Sequence, residues 1–594
     1  MILDKINSPE DLKKLSLIEM NTLAEEMREL IINKVKAVGG HMGPNLGIVE
    51  ATIALHYVFN SPVDKFVFDV SHQCYTHKMI TGRKEGFINP EKYMTCTGYT
   101  APEESVHDLF KVGHTSTSVS LATGVAKARD LMEENYNVIA LIGDGSLSGG
   151  EAFQGLDNAA KLGTNFIVLV NDNEMSIAEN YGGLYDNLKL LRETNGQAEC
   201  NFFKSLGFEY FYQEEGNNIE KMIETLQQVK DINRPVVVHI HTLKGKGYQP
   251  AMENKEKFHS MLHPATIAAN SLLDETYYTL TTDFLLKKAA EDKTLITVNA
   301  ATPGGTGLTQ DFRDKMGKQF IDVGICEEHA MAFISALAKT GANPFYTVQS
   351  SFLQRTYDQM SQDVCLNNSP ITMLVYNGEI SNMDATHLGI FDIPLVSNIP
   401  NMVYLAPTCK EEYLAMLEYA YKNNKHPLAI RLPKEPVVST GVKDTTDYSI
   451  LNKFKVEDRG NTVAIIGVGN FLRLARNIKF ELKEKFNINA TVINPRFISG
   501  VDEELLNELK EKHSLVVTLE NGCVAGGFGE KVARFYGNSD MKVLVRGADK
   551  EFTDKVSVDD LYNRYRLTQD LILKDIETIL EKDNLLQRVY VRLR

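Results

Sequence analysis

Short runs of β-branched and aliphatic residues alternate along this chain with amphipathic helical stretches. In the first third, the pattern predicts helices over 116–133 and 151–162 and buried strands over 138–142 and 166–170. A parallel strand is buried on both faces and reaches its neighbour through a crossover, so this alternation is typical of parallel sheets flanked by helices. We therefore predict an α/β fold.

The length of 594 residues leaves room for three or four domains. A second α/β region begins after Pro264 and runs to the strand-like segment 428–432, and the polar stretch 439–448 is typical of a linker. A third region repeats the alternation up to the C-terminus. We predict three domains in series, at residues 1–270, 271–440 and 455–594.

Composition and charge exclude several classes of protein. The 78 acidic and 63 basic residues give a net charge of −15, which disfavours binding to nucleic acid or anionic membranes. The seven cysteines form no C-x-x-C pair, which argues against a zinc ribbon or a disulfide framework. The sequence shows no signal peptide and no apolar run of membrane-spanning length. We expect a cytoplasmic globular protein with reduced thiols.

Two polar turns, at 143–145 and 171–175, follow the two predicted strands of the first βαβ unit. The carboxyl ends of parallel strands share one edge of a sheet, where open α/β sheets bind ligands. Asp144 offers a carboxylate, Asn173 an amide oxygen and Met175 a backbone carbonyl, and these oxygens suit Mg²⁺. Either turn alone would more often be an ordinary loop. Together, with glycines that admit a phosphate and a helix that starts beside them, they predict a site for Mg²⁺ and a diphosphate.

Further motifs follow in order along nearly the whole chain. They are GHMGPNLG at 40–47, SHQCYTHK at 71–78, GHTSTS at 113–118, NEMSI at 173–177, FH at 258–259, DVGICEEHA at 322–330 and FLQRTYDQ at 352–359. With the two strand-end turns, these motifs resemble the 1-deoxy-D-xylulose-5-phosphate synthase family of transketolase-like enzymes. Segments 494–497 and 520–529 are similar to the C-terminal domain of such proteins, which serves mainly in dimer contacts.

The resemblance implies thiamin diphosphate and Mg²⁺ as cofactors, and a homodimer. Glu327 would hydrogen-bond the aminopyrimidine ring and favour its reactive tautomer, Phe352 would stack on that ring, and Ile177 would hold the two rings bent. The catalytic residues implied are Glu327, His41, His259 and His387. The other cofactor contacts implied are His72, Gly113, His114, Thr115, Gly143, Asp144, Gly145, Ser146, Asn173, Met175 and Lys244, of which Asp144, Asn173 and Met175 would bind the metal.

Some of these residues also have ordinary structural interpretations. Glu327 in an E-E-H run would more often cap a helix, and Lys244, in the sequence LKGKG, would equally suit a solvated basic loop. His41, His72, His114 and His259 lie in or beside glycine turns and polar loops, settings that more often expose an imidazole than bury it.

Four departures from the family pattern fall where the family holds its aldehyde acceptor and the acceptor's phosphate. One family arginine is absent at Tyr376 or Asn377, and a second is replaced by Lys434. A family tyrosine is replaced by Gln349, and an acidic residue is displaced to Asp384. Arg355 is retained as one bidentate phosphate contact, whereas Lys434 is only a point charge. The predicted substrate contacts are His41, Gln349, Arg355, Asp384, His387 and Lys434.

The predicted function is that of a transferase. Pyruvate loses CO₂, and the remaining two-carbon unit passes to an aldehyde, D-glyceraldehyde 3-phosphate, to give 1-deoxy-D-xylulose 5-phosphate, a precursor of isoprenoids, thiamin and pyridoxal. The alternatives are a related enzyme with another acceptor, a transketolase, and the first component of a 2-oxo acid dehydrogenase, which would need a lipoyl partner. A subunit kept only for assembly would be expected to lose Glu327, Asp144 or Asn173, and all three are present.

Overall fold

A computed structural model describes residues 1–270, 273, 275–423 and 425–582. The chain divides into two compact units. The first comprises Met1–Leu273 with Val323–Cys326, and the second comprises the described residues of 274–322 and 327–594. Three sheets, one in the first unit and two in the second, organise these residues.

The first unit is built on a parallel sheet with the strand order β1-β2-β3-β5-β4. Its strands are β1 Lys65–Phe68, β2 Val138–Gly143, β3 Phe166–Asp172, β4 Glu209–Gln213 and β5 Pro235–His241. Its helices are α1 Pro9–Leu12, α2 Leu17–Val38, α3 Gly43–Gly47, α4 Val49–Val58, α5 Tyr75–Lys78, α6 Glu85–Ile88, α7 Ser118–Leu131, α8 Gly150–Ala159, α9 Gly183–Glu193, α10 Phe202–Leu206, α11 Ile219–Val229, α12 Gln249–Glu253 and α13 Pro264–Asn270.

Both faces of this sheet are buried, as the unbroken apolar strands predict. Along β2, Val138, Ala140 and Ile142 pack into a core with α7 and α8, whereas Ile139 and Leu141 pack into a second core with α4 and α11. Successive side chains of a strand point to opposite faces, so each strand contributes to both layers. This arrangement fixes the ends of β2 and β3 at one edge of the sheet.

The second unit contains two sheets. The first is parallel, with the order β10-β11-β9-β8-β6-β7. Its strands are β6 Leu295–Asn299, β7 Phe320–Asp322, β8 Asn343–Gln349, β9 Thr372–Tyr376, β10 Val403–Leu405 and β11 Leu428–Leu432. The helices of this part are α14 Tyr277–Glu291, α15 Gln310–Met316, α16 Glu327–Lys339, α17 Ser350–Leu353, α18 Tyr357–Gln359, α19 Asp392–Val396 and α20 Lys410–Lys422.

The last sheet has the order β12-β14-β13-β15-β16, with only β12 antiparallel to its neighbour among the described strands. Its strands are β12 Lys455–Asp458, β13 Thr462–Gly467, β14 Thr491–Asn494, β15 His513–Cys523 and β16 Lys542–Ala548. Its helices are α21 Leu472–Phe486, α22 Glu503–Leu509, α23 Phe528–Tyr536, α24 Val558–Arg564 and α25 Gln569–Lys582.

The predicted α/β class is confirmed, and most element boundaries differ from prediction by a few residues. The helix predicted over 116–133 begins at Ser118, because Ser116 has a positive φ of 74° and belongs to a turn. The strand predicted to end at 170 continues to Asp172, so the polar turn that follows it is shorter. Among the helices described, none combines the length and apolar character that crossing a membrane requires.

Candidate active site

The two polar turns predicted to form a metal site lie at the same edge of the first sheet. β2 and β3 are parallel neighbours, and Gly143 pairs with Asn171 at the last position of their ladder. Asp144 therefore follows β2 directly beside the turn that carries Asn173 and Met175. Asp144 and Asn173 are buried and Met175 is half-buried. The structure thus brings the three predicted metal ligands to one edge.

Two side-chain oxygens at this edge, Asn173 Oδ1 and Asn180 Oδ1, lack a hydrogen-bond partner among the described residues. The Oδ1 of Asn173 is buried and accepts no hydrogen bond from any residue that the structure describes. Leaving such an oxygen unpaired is costly, so a cation at this position would satisfy it. Asp144 accepts a hydrogen bond from Asn180 Nδ2 at 2.7 Å, and burial together with the nearby Asp172 carboxylate raises its pKa. A divalent cation would favour the ionised form of Asp144.

Among the described residues, no group of three or more His, Cys, Asp or Glu side chains could hold a metal ion. A metal at this edge would depend on Asp144 with neutral oxygens and with oxygens from a bound anion, the ligand set that Mg²⁺ commonly takes beside phosphates.

Gly145 allows the two turns to approach each other. A Cβ atom at this position would come within 2.8 Å of the Ser176 side chain, so any other residue would push the turns apart. Helix α8 begins at Gly150, after the short 3₁₀ turn Asp144–Ser148. The N-terminus of α8 carries the partial positive charge of a helix start and suits an anion.

Three of the four predicted histidines form a cluster in the first unit. The ring of His41 lies 5.0 Å from that of His72 and 5.8 Å from that of His259, and the His72 and His259 rings are 5.4 Å apart. His72 is buried, contrary to the exposure expected of a glycine-rich loop. The His41 and His259 rings pack against its ring, and Asn45 holds its backbone by donating to the His72 carbonyl at 2.7 Å.

Lys244 connects this cluster to the turn that follows β3. Its ammonium donates to the Ser176 carbonyl at 2.5 Å and lies 3.1 Å from His259 Nδ1. The side chain is only 1% exposed, so the interpretation as a solvated basic loop was wrong. Burial lowers the pKa of Lys244, and burial with the adjacent Lys244 charge lowers that of His259 well below its usual value. The His259 ring is therefore neutral near pH 7, and it can accept a hydrogen bond.

Asp69 is a residue that the sequence analysis missed. It follows β1, and its carboxylate accepts the backbone N–H groups of Ser116 at 2.8 Å and Ser118 at 3.0 Å. Ser116 in turn donates to the Ser146 carbonyl at 2.8 Å. These bonds hold the loop with Gly113, His114 and Thr115 beside the turn after β2. Asp69 could have been found from the sequence, because it follows a third strand whose end lies at the same edge of the sheet.

Asp172, the last residue of β3, was also missed. Its Oδ2 lies 2.5 Å from Arg192 and 2.9 Å from His239, and its Oδ1 accepts the Glu174 N–H at 3.0 Å. Although burial opposes ionisation, the bonds from His239 and Arg192 lower the pKa of Asp172. Asp172 therefore remains charged and anchors the turn that carries Asn173 and Met175. Ile177 lies half-buried just beyond that turn.

In the second unit, Glu327 is the first residue of α16 and is 3% exposed. Its Oε2 accepts no hydrogen bond within the described part of the chain, and its nearest cationic atom is Arg355 NH1 at 3.8 Å. Burial raises the pKa of Glu327 to about 7, and the Arg355 charge opposes this rise. The carboxyl is therefore poised to exchange a proton near neutral pH.

The predicted acceptor residues form a second group in this unit. Asp384 Oδ1 lies 3.2 Å from His387 Nδ1 and accepts the Thr386 N–H at 3.1 Å. Although burial opposes it, the His387 hydrogen bond keeps the pKa of Asp384 below its usual value. The edge of the Phe352 ring meets the His387 ring, with 5.6 Å between centroids. Phe352, His387 and Asp384 thus lie together.

Neutral side chains stand at the positions where the family resemblance implies an arginine and a tyrosine. Tyr376 is buried in the core and donates to Thr281 Oγ1 at 2.7 Å, so Asn377 is the residue left to face the site. Asn377, at a positive φ of 59°, donates to Gln349 Oε1 at 3.4 Å and accepts from Tyr278 at 3.3 Å. These groups offer dipoles, and none of the three carries a charge.

Lys434 is exposed just after β11, and its backbone N–H donates to Glu379 at 3.1 Å. The arginine in β11, Arg431, is buried and forms two hydrogen bonds with Asp392 at 2.6 and 3.1 Å. Arg431 also donates to the Asn521 carbonyl at 2.7 Å. Arg431 is therefore committed to the interior, and Arg355 and Lys434 remain the predicted phosphate contacts.

Comparisons with known proteins cover almost the whole chain. The family model described as 1-deoxy-D-xylulose-5-phosphate synthase matches residues 3–201 and 194–242. The models for the pyrimidine-binding domain and the C-terminal domain of transketolase match residues 276–438 and 452–572.

Curated relatives agree with these models. A protein of Caldanaerobacter subterraneus named 1-deoxy-D-xylulose-5-phosphate synthase is 37% identical over 98% of this chain and 99% of the relative. A protein of Clostridium tetani with the same name is 36% identical over 97% of this chain and 99% of the relative.

Proposed function

The chain belongs to the 1-deoxy-D-xylulose-5-phosphate synthase family, and we propose that it transfers a two-carbon unit from pyruvate to D-glyceraldehyde 3-phosphate. The products would be 1-deoxy-D-xylulose 5-phosphate and CO₂. The match over nearly the whole chain does not favour a transketolase or the first component of a 2-oxo acid dehydrogenase. Thiamin diphosphate and Mg²⁺ are the cofactors we assign to this reaction.

The first unit would hold the diphosphate and the metal. Asp144, Asn173 and the carbonyl of Met175 would bind Mg²⁺, and the unpaired buried oxygen of Asn173 supports this assignment. Gly143, Gly145, Ser146 and the loop with Gly113, His114 and Thr115 would contact the diphosphate. Lys244 would supply a buried positive charge beside them.

Glu327 carries the proposal. It is a buried carboxyl with an oxygen free of hydrogen bonds among the described residues and a pKa raised to about 7. When bound, thiamin diphosphate supplies an electron sink that allows pyruvate to lose CO₂. Glu327 would hydrogen-bond the pyrimidine ring and move a proton there, while Phe352 and Ile177 would orient the rings.

Orienting the substrate would fall mainly to histidines. The low pKa of His259 keeps its ring neutral, so it would orient the substrate by hydrogen bonding as a neutral imidazole, and the adjacent Lys244 ammonium and the His41 and His72 rings fix its position. His387, paired with Asp384, would orient the aldehyde, and Gln349 would contact its hydroxyl groups. Arg355 and Lys434 would bind its phosphate.

We also propose that the enzyme is a homodimer, as the family resemblance implies. We propose further that it works in the cytoplasm, as its composition suggested, and that its domain boundaries are those predicted from the sequence. Light scattering coupled to gel filtration tests the first point. A mass of twice 66.5 kDa is expected.

Two variants separate binding of the cofactor from its activation. Asp144→Ala should lose Mg²⁺-dependent binding of thiamin diphosphate, because Asp144 is the only anionic ligand in the proposed site. Glu327→Ala should bind thiamin diphosphate with wild-type affinity and lose most turnover. Titration calorimetry and pyruvate consumption measure the two effects, with Glu328→Ala as the neighbouring control. Wild-type affinity in Asp144→Ala, or wild-type turnover in Glu327→Ala, would refute the respective assignment.

A further inference from the structure

The loop that carries Asp384 and His387 is bound by the C-terminal part of the second unit. We call residues 377–391, between β9 and α19, the acceptor loop. Its backbone makes three hydrogen bonds to described residues beyond 520. The Ile380 N–H donates to Asn521 Oδ1 at 2.7 Å. The Met383 carbonyl accepts from the Lys555 N–H at 3.0 Å, and the Ile390 carbonyl accepts from the Cys523 N–H at 2.9 Å. These bonds lie on both sides of Asp384 and His387.

Apolar side chains of the same loop are part of the C-terminal core. Ile380, Leu388 and Ile390 are 3–4% exposed and pack in one cluster with residues of β13, α21 and β15. The ring of Phe391 meets that of Phe552 at 5.9 Å. The loop therefore has two kinds of side chain: apolar ones buried in the C-terminal core, and the polar pair proposed for the acceptor.

Asn521 holds a buried hydrogen bond, and it is the only side chain among the three partners. It is 1% exposed, follows Glu520 near the end of β15, and accepts the Ile380 N–H through its side chain. Its own carbonyl accepts from Arg431 at 2.7 Å, and Arg431 also binds Asp392, the first residue after the loop. Asn521 thus connects the start of the loop to the buried Arg431–Asp392 pair at its end.

We propose that Asn521 is a positioning residue for the aldehyde acceptor, and that the C-terminal part of the chain fixes the acceptor loop in the geometry that Asp384 and His387 need. Removing the Asn521 side chain leaves the Ile380 N–H buried without a partner, so that end of the loop would move to reach water. This inference rests on the proposed function, since it takes Asp384 and His387 to be acceptor residues. It adds a specificity role to a region whose family resemblance implies mainly dimer contacts.

The test uses the full-length protein with thiamin diphosphate and Mg²⁺. Asn521→Ala removes the acceptor of the Ile380 N–H, whereas Asn521→Asp keeps an oxygen in its place. Asn470→Ala is the control, because it removes only the oxygen to which Asn521 Nδ2 donates at 3.4 Å. Hydrogen exchange by mass spectrometry on peptides covering 378–391 reports on the loop without reference to activity. Steady-state kinetics give the KM for the aldehyde and the KM for pyruvate, and His387→Ala is measured in parallel.

In Asn521→Ala we expect exchange of the loop peptides to rise about tenfold and the aldehyde KM to rise about tenfold, with the pyruvate KM within about twofold of wild type. Asn470→Ala should stay close to wild type in both measurements, and Asn521→Asp, which keeps the acceptor of the Ile380 N–H but buries a carboxyl, should change loop exchange less than Asn521→Ala does. Unchanged exchange in Asn521→Ala, or an equal rise of both KM values, would overturn this inference alone. An unchanged aldehyde KM in His387→Ala would overturn the acceptor role of the loop, and the inference with it.

Discussion

The Glu327→Gln variant is expected to be more stable than wild type above neutral pH. Glu327 is 3% exposed, and burial raises its pKa from 4.5 to about 7. Each pH unit between the two values corresponds to about 1.4 kcal/mol, so ionising this carboxyl inside the fold costs about 3 kcal/mol of stability. Glu327→Gln preserves the shape of the side chain and removes that cost.

The sign of the pH dependence follows from the raised pKa. Between about pH 4.5 and 7 the folded protein binds a proton at Glu327 that the unfolded chain has released, so stability falls as the pH rises through this window. At low pH the carboxyl is neutral in both states. The variant should therefore gain about 3 kcal/mol over wild type at pH 8.5 and less than about 1 kcal/mol at pH 5.

Calorimetry of the cofactor-free proteins at these two pH values measures the effect. At pH 8.5 we expect the transition of Glu327→Gln roughly 2 to 5 °C above that of wild type, with a much smaller difference at pH 5. Glu328→Gln, the neighbouring variant, controls for the loss of one negative charge and should show a small effect at both pH values. Equal transitions of wild type and Glu327→Gln at pH 8.5 would refute the argument that burial raises this pKa.

Two further predictions concern other parts of the site. Arg355→Ala should raise the aldehyde KM more than the pyruvate KM, since each charge-assisted phosphate contact contributes about 1.5 to 3 kcal/mol, and an unchanged aldehyde KM would contradict the phosphate role. The same variant should shift the acid limb of the pH–activity profile to higher pH, because the Arg355 charge opposes the raised pKa of Glu327. Asp69→Ala should weaken thiamin diphosphate binding about tenfold or more by freeing the Ser116 and Ser118 N–H groups, with calorimetry as the measurement, and unchanged affinity would show that the 113–118 loop is held by other contacts.

The first sheet, and the edge where Asp144 and Asn173 lie, could be predicted from local patterns. Unbroken apolar strands implied parallel pairing, and parallel pairing places consecutive strand ends at one edge, so Asp144 and Asn173 had to lie close together. The assignment of Glu327, by contrast, needed the family motif, because a lone acid at a helix start has no distinguishing local pattern.

Contacts between distant segments could not be read from the sequence. Lys244 lies in a segment typical of a solvated loop, yet it is buried because Gly43 and Gly47 leave room for it. A Cβ atom added at Gly43 would lie 3.4 Å from Lys244 Cγ, and one added at Gly47 would lie 3.3 Å from Lys244 Cα. Asp69 binds Ser116 and Ser118, which lie 47 and 49 positions further along the chain. Asn521 binds Ile380, which lies 141 positions before it. Such contacts depend on the packed fold rather than on local periodicity.

Product analysis with labelled pyruvate tests the central claim most directly. The purified protein is incubated with [2-¹³C]pyruvate, thiamin diphosphate and Mg²⁺, against D-glyceraldehyde 3-phosphate and a panel of unphosphorylated aldehydes, and the products are followed by ¹³C NMR. We expect cofactor-dependent formation of 1-deoxy-D-xylulose 5-phosphate, with a weak affinity for the phosphorylated aldehyde because neutral Asn377 and Gln349 stand where the family resemblance implies an arginine and a tyrosine. Formation of a labelled ketose only from unphosphorylated aldehydes, or no labelled ketose at all, would contradict the proposed function.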